Sequence, residues 1–454
     1  MIHLNEDTWR EKGRLNDEEA NDLIKPFTLK ELEEALNDMD SSSSPGPNGL
    51  TVGFYKEFWN EIKELVLEMF NDFHRGEFNL SRLNYGMISL IPKLKEANDI
   101  RQYRPICLLN VDYKWFTKVL TMRLTRYADK LISPTQTTSI PGRYILEGVV
   151  ILHEIMHEVR VRKQKGIIPK LDFEKAYDKV HWGFLMEVLQ RKNFPVKWIG
   201  WMKQIVEGGR VGININGAYG DYFRIFKGLR QGDPLSPLLF NLVSDALATM
   251  LDRAREAGEI KGLVPHLIEG GITHLQYADD TIMFLACEEQ TIVNVKFLLY
   301  CFENMSGLQI NYQKSEVLVL GGLEEEQNRV AEMFNCNEGV LPIKYLGIMV
   351  SNKHLFSSDL DYINKKVEKK LPTWQSATLS SGGKIILIEA SLSSIPNNSM
   401  GIYLLPGENH HKMETSRANF FWHGPNMKKK YHMAAWKLLA TPKNGGGLGF
   451  TNPE

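Results

Sequence analysis

Residues 277–284 read Tyr-Ala-Asp-Asp-Thr-Ile-Met-Phe, so two adjacent carboxylates, Asp279 and Asp280, stand between two short apolar segments. The apolar residues predict two β-strands joined by a tight turn. Strands are depleted in aspartate, and neighbouring negative charges repel each other unless a cation lies between them. Carboxylate oxygens bind Mg²⁺ and leave room for phosphates. The pair therefore predicts a metal site, although a solvated acidic turn explains these two residues as well.

A third carboxylate, Asp172, ends the apolar segment Ile-Ile-Pro-Lys-Leu-Asp-Phe at residues 167–173. Beyond this predicted strand the apolar residues fall roughly at helical spacing. A strand end that leads into a helix is where α/β folds present reactive groups. In-line phosphoryl transfer uses two metal ions about 4 Å apart. We therefore predict that Asp172, Asp279 and Asp280 bind two metal ions, with a helix N-cap as the alternative role of Asp172.

Three segments then stand out by their order along the chain. Residues 170–178 read Lys-Leu-Asp-Phe-Glu-Lys-Ala-Tyr-Asp, residues 228–237 read Gly-Leu-Arg-Gln-Gly-Asp-Pro-Leu-Ser-Pro, and residues 277–280 read Tyr-Ala-Asp-Asp. They resemble the three palm motifs of the reverse transcriptases of non-LTR (LINE-type) retrotransposons, and the closest similarity is to plant LINE elements. Further segments resemble the family's fingers motifs, the motif behind the palm and the primer-grip hairpin: 104–110, 136–143, 307–314 and 341–347. The resemblance runs from about residue 30 to the end of the chain.

The resemblance implies an α+β chain with the right-hand polymerase fold, in which the palm has an antiparallel sheet, the fingers are α/β and the thumb is helical. It predicts four regions and a reverse transcriptase domain over about 85–350. The regions are an acidic N-terminal helical extension (1–44), fingers and N-terminal elements (45–165), the palm with the catalytic motifs (166–350), and a helical thumb with a truncated downstream region (351–454).

The implied activity is RNA-directed DNA polymerisation, with an RNA template, a DNA primer and deoxynucleoside triphosphates as partners. Two Mg²⁺ ions are the implied cofactors, with Mn²⁺ as a substitute. The residues that match the family's site fall into three groups. The catalytic residues are Asp172, Asp279, Asp280 and Lys314, of which the three aspartates bind metal. The nucleotide-binding residues are Lys93, Arg104, Phe173, Tyr177, Gln231 and Gly232. The template- or primer-binding residues are Gln136, Arg143, Arg230, Tyr345, Leu346 and Gly347.

Two of these residues have alternative interpretations in the sequence itself. In the family an aromatic residue at the position of Tyr177 lies under the sugar of the incoming nucleotide and rejects a 2′-hydroxyl, whereas an unassigned tyrosine here would pack in the core. Lys314 resembles the lysine beside the departing pyrophosphate, where a positive charge and a proton donor both help. A surface lysine after a strand is its alternative. Asp178 is expected to be structural.

The segment that begins at Gly228 predicts a loop entering a helix. Gly228 and Gly232 allow the backbone to approach a ligand closely. Asp233 followed by Pro234 predicts a helix N-cap and a proline in the first helical position. The helix would bury an apolar stripe that begins at Leu235. Upstream, basic residues that include Lys93 and Arg104 surround Tyr103, a combination that suits phosphate binding and base stacking, or else a solvated loop.

The formal net charge of −1 is unevenly distributed. Residues 1–80 contain 8 Lys and Arg against 18 Asp and Glu, and the remaining residues contain 46 against 37. A phosphate-binding surface is therefore expected in the second part. The acidic part has one apolar helical face, formed by Leu29, Leu32, Ala35, Leu36 and Met39. It is expected either to pack on the enzyme or to carry a partner surface.

A helix is predicted around Val52–His74, with an apolar stripe formed by Phe54, Phe58, Ile62, Leu65, Val66, Met69 and Phe70. Two positions depart from the family pattern. Asn48 stands where an acid is usual, and Ser139 stands where an aromatic residue is usual.

The sequence contains no 18-residue apolar run and no leader of basic and then apolar residues, so neither a membrane span nor a secretion signal is expected. The four cysteines form no CxxC pair, which suits a reduced compartment, the nucleus or cytoplasm, and argues against a structural zinc. We expect a fragment or degenerate copy of a mobile element, with the missing endonuclease on another part of the parent element. An inactive remnant that binds nucleic acid and a maturase-like relative are the alternatives.

Overall fold

A computed structural model describes residues 4–5, 7–10, 13–94, 96–370, 379–392, 394–422, 434–439 and 441–449. The chain divides into two compact units. The first unit contains residues 1–144 and 163–338, and the second contains residues 145–162 and 339–454. The predicted extension, and most of the predicted fingers and palm, thus belong to the first unit.

The helices lie in both units and are numbered in chain order. They are α1 (Asp17–Leu23), α2 (Leu29–Asn37), α3 (Val52–Glu57), α4 (Trp59–Arg75), α5 (Val111–Thr125), α6 (Ala128–Leu131), α7 (Ile145–Val161), α8 (Ala176–Lys179), α9 (Trp182–Arg191), α10 (Val196–Glu207), α11 (Ser236–Glu256), α12 (Glu289–Ser306), α13 (Glu324–Phe334), α14 (Asp361–Lys370), α15 (Ser381–Leu387), α16 (Asn397–Met400), α17 (Gly407–Trp422) and α18 (Trp436–Leu439). A π-helical turn, Ile388–Leu392, follows α15 directly. No helix in the described ranges is long and apolar enough to cross a membrane.

The strands form two sheets in the first unit and a hairpin in the second. They are β1 (Tyr85–Pro92), β2 (Tyr103–Leu109), β3 (Gly166–Leu171), β4 (Arg210–Ile215), β5 (Ala218–Tyr219), β6 (Phe223–Arg224), β7 (His274–Tyr277), β8 (Asp280–Met283), β9 (Leu285–Ala286), β10 (Glu316–Leu320), β11 (Asn337–Glu338), β12 (Ile343–Tyr345) and β13 (Ile348–Val350).

The larger sheet has the strand order β11-β10-β3-β8-β7, with β9 paired to β3, and it is antiparallel except at β10–β11. The smaller sheet has the order β2-β1-β4-β5, with β6 on β4 and a parallel pairing between β1 and β4. Strands β12 and β13 form a separate antiparallel hairpin. This mixture of helices and mainly antiparallel sheet confirms the predicted α+β class.

The core of the first unit lies between the larger sheet and the helices around α11. This helix is buried on every face, which is the pattern of a central core helix rather than a surface helix. Strand β3 has the continuous apolar pattern of an internal strand, because Ile167, Ile168 and Leu171 are all buried. The end of β3 is therefore fixed between its two neighbours, β10 and β8.

The acidic N-terminal segment packs on the rest of the first unit. Helix α2 buries Leu32, Ala35 and Leu36 on one face. The indole Nε1 of Trp115 donates to the carbonyl of Leu32 over 2.9 Å, and the Arg123 guanidinium donates to the Glu31 carboxylate over 2.6 Å. Of the two roles that the sequence left open, packing on the enzyme is the one that these contacts show.

The helix predicted around Val52–His74 is two helices, and the single helix was wrong. Phe58, with φ −95° and ψ 17°, interrupts the chain between α3 and α4. Three residues of the predicted stripe are exposed, namely Phe54, Phe58 and Leu65, and 68% of the surface of Leu65 is accessible. Val66 and Phe70, which the prediction also placed on the stripe, are buried.

Candidate active site

The strand register brings the three predicted aspartates together. Strands β3 and β8 are antiparallel, and Leu171 faces Thr281. Asp172 directly follows Leu171 and Asp280 directly precedes Thr281, so both carboxylates adjoin the last pair of this register. In the β7–β8 hairpin Tyr277 pairs with Asp280, so Asp279 lies in the two-residue turn between these strands. Three carboxylates therefore lie at one end of the larger sheet.

The charges at this end of the sheet influence one another. Partial burial, reinforced by the negative charge of Asp172, raises the pKa of Asp279, and Arg104 opposes this effect. Burial and the neighbouring Asp279 raise the pKa of Asp280, while Lys170 lowers it. Both shifts show that negative charge is unfavourable here, which is the situation that a bound cation relieves.

The carboxylates offer oxygen ligands for a divalent cation that is shared with a substrate. Among the described residues, no group of three or more His, Cys, Asp and Glu side chains is placed so that it could hold a metal ion. Mg²⁺ commonly keeps several waters and takes only one or two carboxylates together with substrate phosphates. The carboxylates of Asp279 and Asp280, whose pKa values are raised, suit that mode of binding.

The backbone of Asp172 is held by the segment that follows α12. Its N–H donates to Ser315 Oγ over 3.1 Å, and its carbonyl accepts from Asn311 N–H over 2.7 Å. In the same segment Lys314 Nζ lies 3.9 Å from Asp172 Oδ2, and both side chains are exposed. Lys314 thus places a positive charge beside Asp172, and its role at the departing pyrophosphate stays a prediction.

Tyr177 lies in α8, close to the carboxylates. Its ring stacks on Phe240 with centroids 4.7 Å apart. Burial, reinforced by the negative charge of Asp279, raises the pKa of Tyr177 to about 12. The side chain is only partly buried, so one part of the ring remains available at the surface of the site.

The glycines of the 228–232 loop approach the protein's own backbone. Gly228 has φ +87°, and a Cβ there would lie 2.6 Å from the Asp178 carbonyl oxygen. Gly232 has φ +114°, and a Cβ there would lie 2.6 Å from the Cys107 carbonyl oxygen. The loop is further tied to β2, because Cys107 N–H donates to the Gln231 carbonyl over 2.8 Å. The glycines therefore seat the loop against α8 and β2, and the expected close approach of their backbone to a ligand stays a prediction.

The start of α11 also differs from the prediction. The helix begins at Ser236, and Asp233 is buried three residues before it. The Asp233 carboxylate accepts from Leu235 N–H over 3.1 Å, so it caps the turn that precedes the helix. Burial raises the pKa of Asp233. The predicted N-cap at Asp233 was therefore wrong by two residues, because the chain makes a buried turn first.

The segment that carries these motifs matches a family of known proteins. The family described as reverse transcriptase (RNA-dependent DNA polymerase) matches residues 91–350, more than half of the chain. The chain belongs to the reverse transcriptase family. With the family comes its right-hand polymerase fold, as the motifs predicted.

Relatives of this reverse transcriptase chain come from transposable elements. Over 396 residues it is 28% identical to the transposon TX1 uncharacterized 149 kDa protein of Xenopus laevis, which covers 86% of this chain and 29% of that protein. Over 272 residues it is 27% identical to the retrovirus-related Pol polyprotein from type-1 retrotransposable element R2 of Nasonia vitripennis, covering 60% of this chain and 25% of that protein. The predicted resemblance to non-LTR elements is confirmed.

These relatives are much longer than the chain, which spans less than a third of their length. Among solved structures, telomerase of Candida tropicalis in complex with a TWJ fragment of telomeric RNA is similar with a TM-score of 0.43 and 13% identity. That similarity covers 81% of this chain and 58% of the telomerase chain.

In this reverse transcriptase the two predicted basic residues of the fingers are exposed. Lys93 follows β1, and its Nζ lies 3.4 Å from the carbonyl of Arg101. Arg104 lies on β2 and is close enough to Asp279 to affect its pKa. Both residues are thus free to meet a charged ligand from solvent.

Three residues predicted to contact template or primer are bonded to the protein instead. Gln136 has no exposed surface. Arg143 donates to the carbonyls of Ser133 and Gln136, each over 2.6 Å, and its side chain is 9% exposed. Arg230 donates to Asn84 and Tyr113 and stacks over the Tyr113 ring. These side chains use their polar atoms for hydrogen bonds within the protein. The prediction that they contact template or primer is therefore corrected.

The remaining predicted residues lie in two places. The side chain of Phe173 is 6% exposed and packs edge-on against Phe302, so it belongs to the core, and the predicted contact with a nucleotide does not fit its side chain. Tyr345, Leu346 and Gly347 lie at the β12–β13 hairpin of the second unit, with positive φ at the last two. Their role as a primer grip stays a prediction.

Sequence reasoning missed several residues that shape the site. Ser315 and Phe240 contact Asp172 and Tyr177 across long sequence separations. Phe240 lies on α11, where it reads as one more apolar residue at helical spacing. No local signal distinguishes either residue from its neighbours, because their roles depend on contacts between distant segments.

Proposed function

We propose that this chain is the polymerase part of a LINE-type retrotransposon and extends a DNA primer on an RNA template with deoxynucleoside triphosphates. The observation that carries the proposal is the convergence of Asp172, Asp279 and Asp280 at one sheet end, beside Lys314, in a chain of the reverse transcriptase family. Two of these carboxylates have raised pKa values, which favours occupation by a cation.

Asp172 and Asp279, with Asp280 next to them, would hold two Mg²⁺ ions, and Mn²⁺ would serve as a substitute. Such ions activate the attacking hydroxyl and neutralise charge on the transferring phosphoryl group. The aspartates contribute orientation, because strand pairing and the bonds from Ser315 and Asn311 fix their backbone.

The cationic side chains would act on the triphosphate. Arg104 and Lys93 are exposed on the fingers side and suit contacts with phosphate oxygens. Lys314, close to Asp172, would hold a positive charge and a proton beside the departing pyrophosphate. Each role needs only a charged group within reach of the carboxylates.

Selection of the nucleotide would rest on Tyr177 and the 228–232 loop. The Tyr177 ring is held by Phe240. In this proposal the ring would occupy the space that a ribose 2′-hydroxyl needs. Gln231 is half-buried and Gly232 is exposed on the loop that lies between α8 and β2, where they can meet the incoming nucleotide.

All four cysteines of the chain are free thiols, which fits a nuclear or cytoplasmic location.

Primer extension tests the proposal directly. Purified protein is incubated with oligo(dT) annealed to poly(rA), dTTP and Mg²⁺, and Asp279→Asn, which keeps the side-chain volume, is the matched control. Extension by the parent and its loss in Asp279→Asn support the proposal. A folded parent that binds the primer–template but does not extend it would identify an inactive remnant, the principal alternative.

A further inference from the structure

The turn that carries Asp279 is held by a single buried amide. Gln136 has no exposed surface, its Oε1 accepts from Ala278 N–H over 2.9 Å, and its Nε2 donates to the Ala278 carbonyl over 3.3 Å. Ala278 is the first of the two turn residues between β7 and β8. Both polar groups of the residue next to Asp279 therefore depend on one side chain, which lies 142 residues away in the sequence.

Ala278 needs this support because of its backbone conformation. Its φ is +54°, in the left-handed region, where a Cβ is unfavourable and glycine, asparagine or aspartate is the usual residue. Alanine has no polar side chain that could stabilise the turn locally. A non-glycine residue in this region persists only when its surroundings impose the conformation.

Gln136 is in turn held by its own segment. Thr137 N–H donates to the Gln276 carbonyl over 3.1 Å, and Gln276 N–H donates to the Thr135 carbonyl over 2.8 Å, so the segment pairs with β7 beside the turn. Gln136 Nε2 also lies 3.3 Å from Ser244 Oγ on α11. The Arg143 guanidinium bonds the Gln136 carbonyl from the other side. The amide is thus presented to Ala278 by three separate anchors.

We propose that Gln136 is a positioning residue for Asp279: by bonding Ala278 it fixes the left-handed turn and with it the direction of the Asp279 carboxylate. The effect on catalysis rests on the function proposed above. Loss of the amide loosens the turn and weakens metal binding, while substrate contacts elsewhere remain. The competing interpretation is that Gln136 only fills and stabilises the core.

Glycine at position 278 separates these interpretations. In Ala278→Gly the positive φ carries no Cβ penalty, so the turn forms with less help from Gln136. The double variant Gln136→Ala, Ala278→Gly should therefore regain much of what Gln136→Ala loses. A role in packing alone predicts no such recovery, because glycine fills no space.

The chain offers a matched control in the same unit. Gln327 Oε1 accepts from Val319 N–H over 2.7 Å, and its Nε2 donates to the Val317 carbonyl over 2.5 Å. This amide bonds the backbone of β10 in the same manner, but away from the carboxylates. Gln327→Ala removes a comparable pair of hydrogen bonds without altering the turn.

The experiment measures amide hydrogen exchange at Ala278, Mn²⁺ affinity by electron paramagnetic resonance, and steady-state primer extension. For Gln136→Ala we expect about tenfold faster exchange at Ala278, three- to tenfold weaker Mn²⁺ binding, and a kcat lower by about 10- to 100-fold with the KM for primer–template within threefold. Gln136→Ala lowers both Mn²⁺ affinity and kcat, and each loss is expressed as the logarithm of its fold-change. The double variant with Ala278→Gly should recover at least a third of each loss. Gln327→Ala should leave Mn²⁺ affinity and kcat within threefold.

Gln136→Met keeps the side-chain length without the amide and replaces Gln136→Ala if that variant does not fold. Unchanged exchange at Ala278, equal effects of Gln136→Ala and Gln327→Ala on Mn²⁺ affinity, or no recovery by Ala278→Gly would each overturn the positioning role. Exchange and Mn²⁺ binding need no turnover. A parent that does not polymerise therefore refutes the proposed function, while these two measurements still decide the role of Gln136.

Discussion

The ring of Tyr177 stacks on the ring of Phe240, with the centroids 4.7 Å apart and the planes inclined by 12°. Phe240 belongs to α11 and is 1% exposed, so it cannot move aside. One face of Tyr177 is thereby fixed against the core, and the ring keeps its position at the edge of the site. Such a fixed ring can discriminate between sugars by overlap alone.

We expect Tyr177→Val to admit ribonucleotides. The smaller side chain opens the space that a 2′-hydroxyl needs and leaves the carboxylates in place. Discrimination between dTTP and UTP should fall by about 2–4 kcal/mol, the cost of forced overlap in a packed site. The measurement is the ratio of kcat/KM for the two nucleotides on one primer–template. Tyr177→Phe keeps the ring and should keep the ratio, and an unchanged ratio in Tyr177→Val would place Tyr177 in the core only.

Removal of a carboxylate should abolish extension without unfolding the protein. Asp279 is more buried than Asp280 and lies in the turn itself. Metal ions and charge stabilisation supply most of the rate enhancement in phosphoryl transfer, so Asp279→Ala should lower kcat by at least about 1,000-fold, equal to about 4 kcal/mol. Asp280→Ala should retain more activity. Asp178→Asn, nearby but outside the trio, is the control, and extension by Asp279→Ala within tenfold of the parent would contradict the site.

A buried ion pair that Trp9 also contacts should stabilise the first unit. Lys192 Nζ lies 2.6 Å from Asp245 Oδ2, both side chains are almost fully buried, and Trp9 Nε1 donates to the same oxygen over 2.8 Å. Lys192→Met should destabilise the protein by about 3–5 kcal/mol, because the carboxylate stays buried without its counter-ion. The exposed pair Arg10–Glu256 is the control, and Glu256→Gln should cost less than about 1 kcal/mol. Urea unfolding measures the loss of stability in both variants. Equal losses would show that the buried pair stabilises the protein no more than the exposed pair does.

Stability should fall on mild acidification because of His274. Its ring is fully buried on β7, between Thr135 and Thr273, and burial lowers its pKa to about 4. The unfolded chain protonates His274 near pH 6.5, whereas the folded chain does so only near pH 4. The contribution of this residue is therefore intact above pH 6.5 and is lost progressively as the pH falls to 4, by roughly 3 kcal/mol in total.

Replacement of this histidine tests the prediction. His274→Gln cannot take up the proton, so the free energy of unfolding should depend less on pH between 7 and 4.5 than in the parent. The measurement is urea unfolding at a series of pH values. Parallel curves for parent and variant would show that another group controls acid sensitivity.

Much of the site could be predicted from the sequence because it depends on short segments. The strand ending at Asp172, the Tyr-Ala-Asp-Asp turn and the helix after Ser236 are each set by local periodicity and by residue type. Their order along the chain was enough to predict the family. Lys314 lies beside Asp172 because it comes just before β10, which neighbours β3 in the sheet.

The tertiary structure decided which polar side chains face the interior of the protein. Gln136, Arg143 and Arg230 carry groups that suit a nucleic acid equally well, and the sequence contains nothing that distinguishes a solvent-facing amide from one that bonds Ala278. Likewise, the stacking of Tyr177 on Phe240 joins segments that are far apart in the chain. Periodicity reports which face of an element is apolar. The partner that a buried hydrogen-bonding group meets is set by long-range packing, so only the folded chain determines it.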